Sequence, residues 1–330
     1  MSDKKMVYVT CPISEKAKQA TLDCLGDIAD VVFYQGSDKH SQFLPDADAL
    51  IAIAQDGASA EMIAMAPKCK YIAKYGAGVN DIAVDEATRR GIPVGAVSGT
   101  NSRSVAEYTL TLILAVYKQI KLAHNKLAFE NKWLKTVLRD NCYELTGKIV
   151  GIIGMGNIGR NLVELLTGFR CDVRYYDVVR LSPEQEKELG VTFMELDDLM
   201  AASDVVSIHC PLMPSTRHLV DERRLRLMKP TGVIINTARG AILDEMALAK
   251  VISEGHLLGA GIDVWAKEPA DNSHPLCKFD NVVVSPHNGG GTVEAVQIVA
   301  RTSCINIRSV LTEGIVAEPK YVVNRKELGL

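Results

Sequence analysis

The chain has little that would hold it together covalently or anchor it in a membrane. Its 330 residues include eight cysteines, Cys11, Cys24, Cys69, Cys142, Cys171, Cys210, Cys277 and Cys304, and none are spaced C-x-x-C. In a chain of this length that pattern argues against a disulfide framework or a zinc site and leaves free, mostly buried thiols. There is no excess of charge of either sign: 37 Lys and Arg stand against 40 Asp and Glu, a net charge of −3. That balance argues against a nucleic-acid binder relying on a basic surface and excludes a highly charged disordered chain. Long apolar runs are missing too. After the polar Met1 to Lys5, the run Met6 to Val9 is too short for a signal peptide. The most apolar helical stretch, Val105 to Tyr117, contains Glu107 and falls short of the ~20 residues that span a bilayer. No membrane partner is expected, and the compartment reads as reducing cytoplasm. There is no internal repeat, low-complexity tract or obvious flexible linker.

What is present is ordinary globular material, 23% charged and 47% apolar, in a chain long enough for two domains. Short β-rich runs alternate with helical patterns. Met6–Thr10, Val31–Tyr34, Ala49–Ala54, Tyr71–Lys74 and Val94–Val97 read as buried strands, with helical spacing between them at Glu15–Leu25 and Glu61–Met65. Such alternation implies a parallel sheet covered by helices on both faces. A second series starts at Lys148–Ile153, followed by a helix over Asn157–Phe169 and strands at Val173–Asp177, Asp204–Cys210, Gly232–Asn236, Leu258–Asp263 and Val282–Ser285. Helices at Asp221–Met228 and Glu245–Glu254 separate some of these. At least six strands suffice for a complete dinucleotide-binding domain. A long helical pattern, Ser104–Phe129, lies between the two series, and another, about Val293–Thr312, follows the second. The expected fold is α/β, with two doubly wound parallel-sheet domains. A dinucleotide-binding (Rossmann) domain, residues 102–293, is expected to be inserted in a flavodoxin-like domain, residues 1–101 plus 294–330.

Gly154-Met155-Gly156-Asn157-Ile158-Gly159 follows a strand and opens a helix, the context that makes G-x-G-x-x-G informative. Gly154 permits the tight turn, Gly156 lets the backbone approach a pyrophosphate, and Gly159 lets helix and strand pack closely. The helix N-terminus offers free N–H groups and partial positive charge to the phosphates. Asp177, 18 residues after Gly159, ends the next strand. There it can accept hydrogen bonds from an adenosine ribose and would repel a 2′-phosphate, which favours NAD over NADP. Arg180 close by keeps NADP open.

Three further segments sit at carboxyl ends of strands, where doubly wound sheets bind ligands: Asn236–Gly240, Asp263–Pro269 and Ser285–Gly290. They carry Arg239, Glu268 and His287. In one cleft these three suit hydride transfer to a 2-oxo acid. The Arg239 fork can clamp a carboxylate and polarise the adjacent carbonyl. His287 can give a proton to the carbonyl oxygen. Glu268, bonded to the other ring nitrogen, would hold the tautomer. Each residue alone has a plainer reading: a solvated loop charge for Arg239, a surface turn for Glu268 before Pro269, a packed or capping histidine for His287. Spacing does not prove that they converge.

Taken in order, Gly154–Gly159, His209-Cys210-Pro211-Leu212, Thr237-Ala238-Arg239-Gly240, Asp263-Val264-Trp265 with Glu268-Pro269, and Pro286-His287 resemble the NAD-dependent D-2-hydroxyacid dehydrogenase family, which includes phosphoglycerate dehydrogenases. The resemblance runs over most of the chain and is strongest from about Gly147 to Gly290. It implies the same roles for Arg239, Glu268 and His287, and D stereochemistry. It also implies cofactor contacts from the Asn157 and Ile158 backbone, from Cys210, Pro211 and Thr216, and from Thr237, Ala238, Asp263, Gly289 and Gly290 beside Arg239 and His287. Tyr75-Gly76-Ala77-Gly78-Val79 resembles the family's glycine loop that presents N–H groups to the substrate carboxylate. Lys74, Gly76, Ala77 and Gly78 are thereby implied as substrate contacts, with Ala77 also facing the cofactor. Asn101–Glu107, with Val105, resembles its second cofactor-contacting stretch, and the helix that follows takes part in dimerisation in this family, so a homodimer is expected. No metal ion is expected.

Of the departures from the family pattern, the first is expected to have little consequence and the second bears on the substrate. The family often reads Val-Asp-Asn after its first glycine loop, where this chain has Val79-Asn80-Asp81. Phosphoglycerate dehydrogenases commonly place arginines in the substrate domain, whereas Ile51–Gln55 holds none and the second position is Lys74; no regulatory domain fits after the last long helix. A D-3-phosphoglycerate dehydrogenase of serine biosynthesis is thus an alternative, as is a non-catalytic NAD(H)-sensing binding protein. Formate dehydrogenases of this superfamily pair their histidine with Gln, and Glu268 argues against that branch.

Overall fold

The computed structural model describes residues 4–53, 57–76, 78–79 and 81–330. The chain divides into two compact units, residues 1–101 with 291–330, and residues 102–290. The first unit runs β1 (Lys5–Val9), α1 (Glu15–Leu25), β2 (Ala29–Val32), α2 (His40–Phe43), β3 (Ala49–Ala52), α3 (Ala60–Ala64), β4 (Tyr71–Lys74), α4 (Val84–Arg89) and β5 (Val94–Ala96). The second runs α5 (Ser102–Tyr117), α6 (Ile120–Ala128), α7 (Lys135–Asn141), β6 (Ile149–Ile153), α8 (Asn157–Leu166), β7 (Asp172–Tyr176), α9 (Pro183–Leu189), β8 (Val191–Phe193), α10 (Leu196–Ala202), β9 (Val205–Ile208), α11 (Glu222–Leu227), β10 (Val233–Asn236), α12 (Glu245–Ser253), β11 (Gly259–Ile262) and β12 (Val282–Val284). The chain then returns to the first unit with α13 (Val293–Glu313) and the short α14 (Arg325–Leu328).

Both sheets are wholly parallel. The first has the order β2-β1-β3-β4-β5, the flavodoxin-like arrangement, and the second β12-β11-β10-β9-β6-β7-β8. In the second the chain works outward from β6 through β7 to β8, then crosses to β9 on the other side and continues to β12. That order is a Rossmann sheet with one added strand. The fold class expected from sequence is therefore the one found. Parallel strands need crossover helices, so both faces of each sheet are covered and the strands are mostly apolar, as in β3 (Ala49, Leu50, Ile51, Ala52) and, apart from Ser207, β9 (Val205, Val206, Ile208). Each unit has a core on either side of its sheet, and in the first unit one of these cores is closed by α13 lying on α1 and β4.

Several elements differ from the sequence reading. The single helix expected over Ser104–Phe129 is two, α5 and α6, broken at Gln119, whose φ of 48° is left-handed. No Gly or Pro marks the break. It is made by the returning chain: Tyr143 N–H donates to the Tyr117 carbonyl at 2.9 Å, and the Gln119 side chain donates to the Asn141 carbonyl at 2.8 Å. The expected helix to Phe169 ends as α8 at Leu166 and tightens into a 3₁₀ turn, Thr167–Phe169. The strand expected to Ala54 ends at Ala52, and Ala54 lies outside the described residues. α7, α9, β8 and α10 have no counterpart in the sequence reading, although the capping box of α9, Ser182 with Gln185, is a readable start signal. The thiols are free, but only Cys11, Cys69 and Cys304 are buried; the other five are half-buried.

Candidate functional site

β6 and β9 are neighbours from which the chain departs in opposite directions, and the crevice at their carboxyl ends is where such sheets bind ligands. Gly154 leaves β6 with φ 100°, and its N–H donates to the Tyr176 carbonyl at 2.8 Å. A Cβ there would run into the backbone of His209 and Cys210 at the end of β9. A Cβ on Gly159 would strike the Gly154 carbonyl, so this glycine is what lets α8 lie on its strand. Gly156 differs: a Cβ on it meets nothing within 4 Å. The protein's own packing does not require glycine at that position, whereas close approach by a pyrophosphate does. Gly156 is also the N-cap of α8, and no side chain caps it among the described residues. The first intrahelical bond is Arg160 N–H to the Gly156 carbonyl at 3.0 Å, so the N–H groups of Asn157, Ile158 and Gly159 precede the helical ladder, the donors that a helix start offers to an anion. These residues fit a dinucleotide.

Asp177 follows β7. One carboxylate oxygen accepts the Met155 N–H at 2.7 Å and the other the Val179 N–H at 3.0 Å, which fixes the acid against the glycine loop. Arg180 is committed elsewhere, to Glu186 at 2.9 Å and over the Phe193 ring. On the other side of the crevice, burial pushes the Cys210 thiol up to about 11 and the His209 imidazole down to about 3, so both stay neutral near pH 7. Thr216 holds the turn that follows: its hydroxyl donates to the Pro211 carbonyl and accepts the Met213 N–H, each at 2.7 Å.

The next three strand ends, β10, β11 and β12, are adjacent; their loops bring Glu268 and His287 into contact and set the Arg239 charge where it acts on Glu268. After β10, the Asn236 side chain accepts the Ala238 N–H at 3.1 Å and donates to the Arg239 carbonyl at 3.0 Å, while buried Thr237 shares a 2.9 Å hydroxyl contact with Thr109 of α5. Arg239 is half-buried and donates to the Ala238 carbonyl at 2.6 Å. After β11, both Glu268 oxygens lie 2.9 Å from His287 Nδ1, and Oε1 also accepts the Trp265 N–H at 3.1 Å. Burial by itself would raise the Glu268 carboxyl. The His287 hydrogen bond and charge, the Trp265 N–H and the Arg239 charge outweigh it and hold the carboxyl below its ordinary value. A carboxylate cannot donate, so Nδ1 carries the proton and Nε2 is the ring atom available to a ligand. The imidazole side chain keeps 42% of its exposure, enough to be reached.

His287 sits at φ 56°, an uncommon conformation for a residue with a side chain, and Asp263 holds it there. The Asp263 carbonyl accepts the His287 N–H at 2.7 Å. Its carboxylate, 1% exposed, accepts Ser285 Oγ at 2.6 Å and the N–H groups of Asn288 and Gly289, each at 2.8 Å. Gly290 ends this loop, half-buried.

In the first unit, Lys74 ends β4, is buried, and is engaged by Asp81 and the Ile53 carbonyl. Gly76 follows with φ 143°, and its carbonyl accepts the Val97 N–H at 3.1 Å. Gly78 is half-buried, and Ala77 lies outside the described residues. Val105 is buried in the first turns of α5.

Sequence reasoning missed the layer behind the three loops. Glu245, the first residue of α12, accepts the Ala266 N–H at 2.6 Å and lies 3.2 Å from His274 Nε2; His274 packs edge-on against Trp265, whose indole N–H donates to the Ser285 carbonyl at 3.0 Å. These residues are scattered, and no local spacing links them.

Comparison with known proteins agrees with this arrangement. Residues 110–289 match the family model described as D-isomer specific 2-hydroxyacid dehydrogenase, NAD binding domain. A glyoxylate reductase of Thermofilum pendens is 38% identical, with 98% of this chain and 95% of that protein aligned. A D-3-phosphoglycerate dehydrogenase of Mycobacterium bovis is 39% identical over 86% of this chain, which spans 53% of that longer protein. Among solved structures, the TT0316 protein of Thermus thermophilus superposes with a TM-score of 0.84 at 32% identity, over 93% of this chain and 96% of that one. With the glycine loop, its acid and the matching sheet order all in one domain, the chain belongs to the D-isomer-specific 2-hydroxyacid dehydrogenase family and is an NAD-linked oxidoreductase.

Proposed function

We propose that the chain interconverts a small D-2-hydroxy acid and its 2-oxo acid, with Arg239, Glu268 and His287 as its working side chains. The observation that carries this reading is the two-oxygen contact of Glu268 with His287 Nδ1, at 2.9 Å each. It fixes which ring nitrogen is free and stabilises the imidazolium that proton delivery needs. Bound NAD(H) supplies or accepts the hydride. Arg239 grips the substrate carboxylate and polarises the carbonyl. His287 Nε2 delivers a proton to the carbonyl oxygen in reduction and removes it in oxidation. Glu268 orients the ring throughout. Gly154, Gly156, Asn157, Ile158 and Gly159 would hold the cofactor, with Asp177 accepting from its ribose, and Val105, Cys210, Pro211, Thr216, Thr237, Ala238, Asp263, Gly289 and Gly290 would complete its surroundings. In the domain division this implies, residues 102–293 bind cofactor and residues 1–101 with 294–330 bind substrate through Gly76, Ala77 and Gly78. The chain works as a homodimer in reducing cytoplasm, which suits its eight free thiols.

A small unphosphorylated substrate such as glyoxylate is favoured over 3-phosphohydroxypyruvate. Lys74, the cation nearest the glycine loop in sequence, is already neutralised by Asp81. The test is NADH consumption with glyoxylate, pyruvate, hydroxypyruvate, branched 2-oxo acids and 3-phosphohydroxypyruvate, with NADPH in parallel. Turnover of an unphosphorylated acid with NADH is expected. His287→Ala should cost about 10²–10⁴-fold in kcat while NADH binding, read by fluorescence, is kept. Silence across the whole panel with NADH still bound would reject the catalytic reading for that of an NAD(H)-sensing protein.

A further inference from the structure

The turn that carries Glu268 is held from two sides, and only one of them faces His287. Consecutive N–H groups of this turn go to two different carboxylates: that of Trp265 to Glu268 Oε1 at 3.1 Å, and that of Ala266 to Glu245 Oε1 at 2.6 Å. Glu245 opens α12, where the helix start favours a negative charge, and its side chain is only 10% exposed. Its other oxygen lies 3.2 Å from His274 Nε2. His274 Nδ1 accepts the Leu276 N–H at 3.3 Å, so the ring proton sits on Nε2 and is donated to Glu245. Both Glu245 oxygens therefore accept, one from the turn and one from the imidazole. The His274 ring in turn packs edge-on against Trp265, with centroids 5.0 Å apart, and the indole N–H donates to the carbonyl of Ser285 in the His287 loop. A second carboxylate–imidazole pair thus stands behind the first, joined to it through the Trp265–Ala266 backbone.

We propose that Glu245 is a positioning residue for the reaction: through the Ala266 N–H it fixes the turn from Trp265 to Glu268 and so keeps Glu268 on His287 Nδ1, while His274 holds Glu245 in place. This rests on the proposed role of Glu268 in orienting His287. Donors and acceptors match only with a carboxylate at position 245. An amide of the same shape presents its NH2 to one of the two donors, and turning it over only moves the mismatch between the Ala266 N–H and His274 Nε2. The imidazole cannot absorb the change, because moving its proton to Nδ1 sets that N–H against the Leu276 N–H. Unmatched donors at a buried site are costly, so the structure shifts to relieve them. α12 and the 3₁₀ turn Pro275–Lys278 are held by their own capping bonds, from Asp244 and His274, which leaves the turn at Ala266 to move. Its movement takes the Trp265 N–H off Glu268 Oε1 and lengthens both 2.9 Å contacts with His287 Nδ1. Glu245 needs no contact with substrate or cofactor for this; its effect on turnover passes through Glu268.

The test is a double-mutant cycle in the full chain, with Glu245→Gln and Glu268→Gln made singly and together. Each is read as kcat and KM with NADH and glyoxylate, or with whichever acid of the panel above turns over fastest. Alone, Glu245→Gln should lower kcat about 10- to 100-fold and leave the KM for NADH within about twofold, as a misplaced catalytic pair does. Added to Glu268→Gln it should cost less than about twofold more, because the carboxylate it positions is already gone. NADH binding by fluorescence checks that each variant folds. His274→Asn is the second probe: the Asn oxygen can still accept the Leu276 N–H, but the ring on Trp265 and the Nε2 donor to Glu245 are lost. It should lower kcat about 3- to 10-fold in the wild type and not in Glu268→Gln, and it carries the cycle if Glu245→Gln fails to bind NADH. Equal losses in both backgrounds would mark a purely structural role and overturn the proposal, as would full kcat in Glu245→Gln. A wild-type chain silent with every acid, or undiminished kcat in Glu268→Gln, would instead overturn the proposed function and this inference with it.

Discussion

A histidine in the left-handed region of backbone space needs a reason to stay there, and here the reason is Asp263. Its buried carboxylate collects one hydroxyl and two N–H groups from Ser285–Gly289 while its carbonyl takes the His287 N–H, so the ring is presented by a loop that Asp263 holds at four points. Glu268 does the corresponding work on the ring. Glu268→Gln keeps the shape and removes the charge. It should lower kcat by roughly 10- to 1000-fold, a loss of tautomer control and of imidazolium stabilisation, with the KM for NADH nearly unchanged. The acid side offers a second check. The Glu268 carboxyl is held below its ordinary 4.5 in the folded chain, so the stability it contributes is present above that value and is lost as pH falls through the folded one. Wild-type protein should therefore lose stability more steeply than Glu268→Gln between about pH 5 and 3, by chemical denaturation. Equal slopes would show that the pair is not linked to folding.

Among the elements, the strands other than β8, with α1 and α12, were the legible part. Apolar runs bounded by turn residues gave β4 to the residue, and helical spacing puts Ile158, Leu162, Leu165, Leu166 and Phe169 on one face, of which Leu162 and Leu166 are buried and the others half-buried, while the buried Val163 falls outside that pattern. The glycine loop was readable because its three glycines answer to three distinct physical demands. The break at Gln119 was not, since it is imposed by Tyr143, 24 residues on. Nor were the supports at Glu245 and His274, because a loop is braced by whatever the fold lays beside it. Gly240 lies between these cases: it sits beside Arg239 in the sequence, yet its necessity shows only in three dimensions. A Cβ there would collide with the Trp265 carbonyl and the Ala266 nitrogen, the backbone that leads to Glu268. Gly240→Ala must push the β10 and β11 loops apart and separate Arg239 from Glu268. A stability loss of about 1–3 kcal/mol by denaturant unfolding is expected, with kcat/KM falling far more than that loss explains. Full activity in a variant that folds normally would mean that the two loops move independently.

At the scale of the molecule, the conspicuous surface is apolar. Phe129 is 77% exposed and Trp133 75%, and Ile120, Leu127 and Val137 stand out along the same stretch of α6, α7 and their connection. α5, by contrast, buries Leu112, Ile113, Val116 and Tyr117 within its own unit. The long helix expected from the family resemblance to take part in dimerisation thus has its apolar side covered in this chain, and the exposed apolar side chains lie in the segment after it. Large aromatics left in water at this density cost solubility, and each buries about 150–250 Å² when covered. A second copy is the simplest cover, since a two-fold axis presents the same patch twice. Light scattering at micromolar concentration should therefore give twice the mass of one chain. The double substitution Phe129→Ser and Trp133→Ser should return it to the mass of a single chain while NADH still binds, because neither residue touches the glycine loop, Asp177 or the strand ends that carry Arg239, Glu268 and His287. A wild-type chain that stays monomeric at those concentrations would leave this surface without a partner of its own kind and remove the dimer from the proposed function.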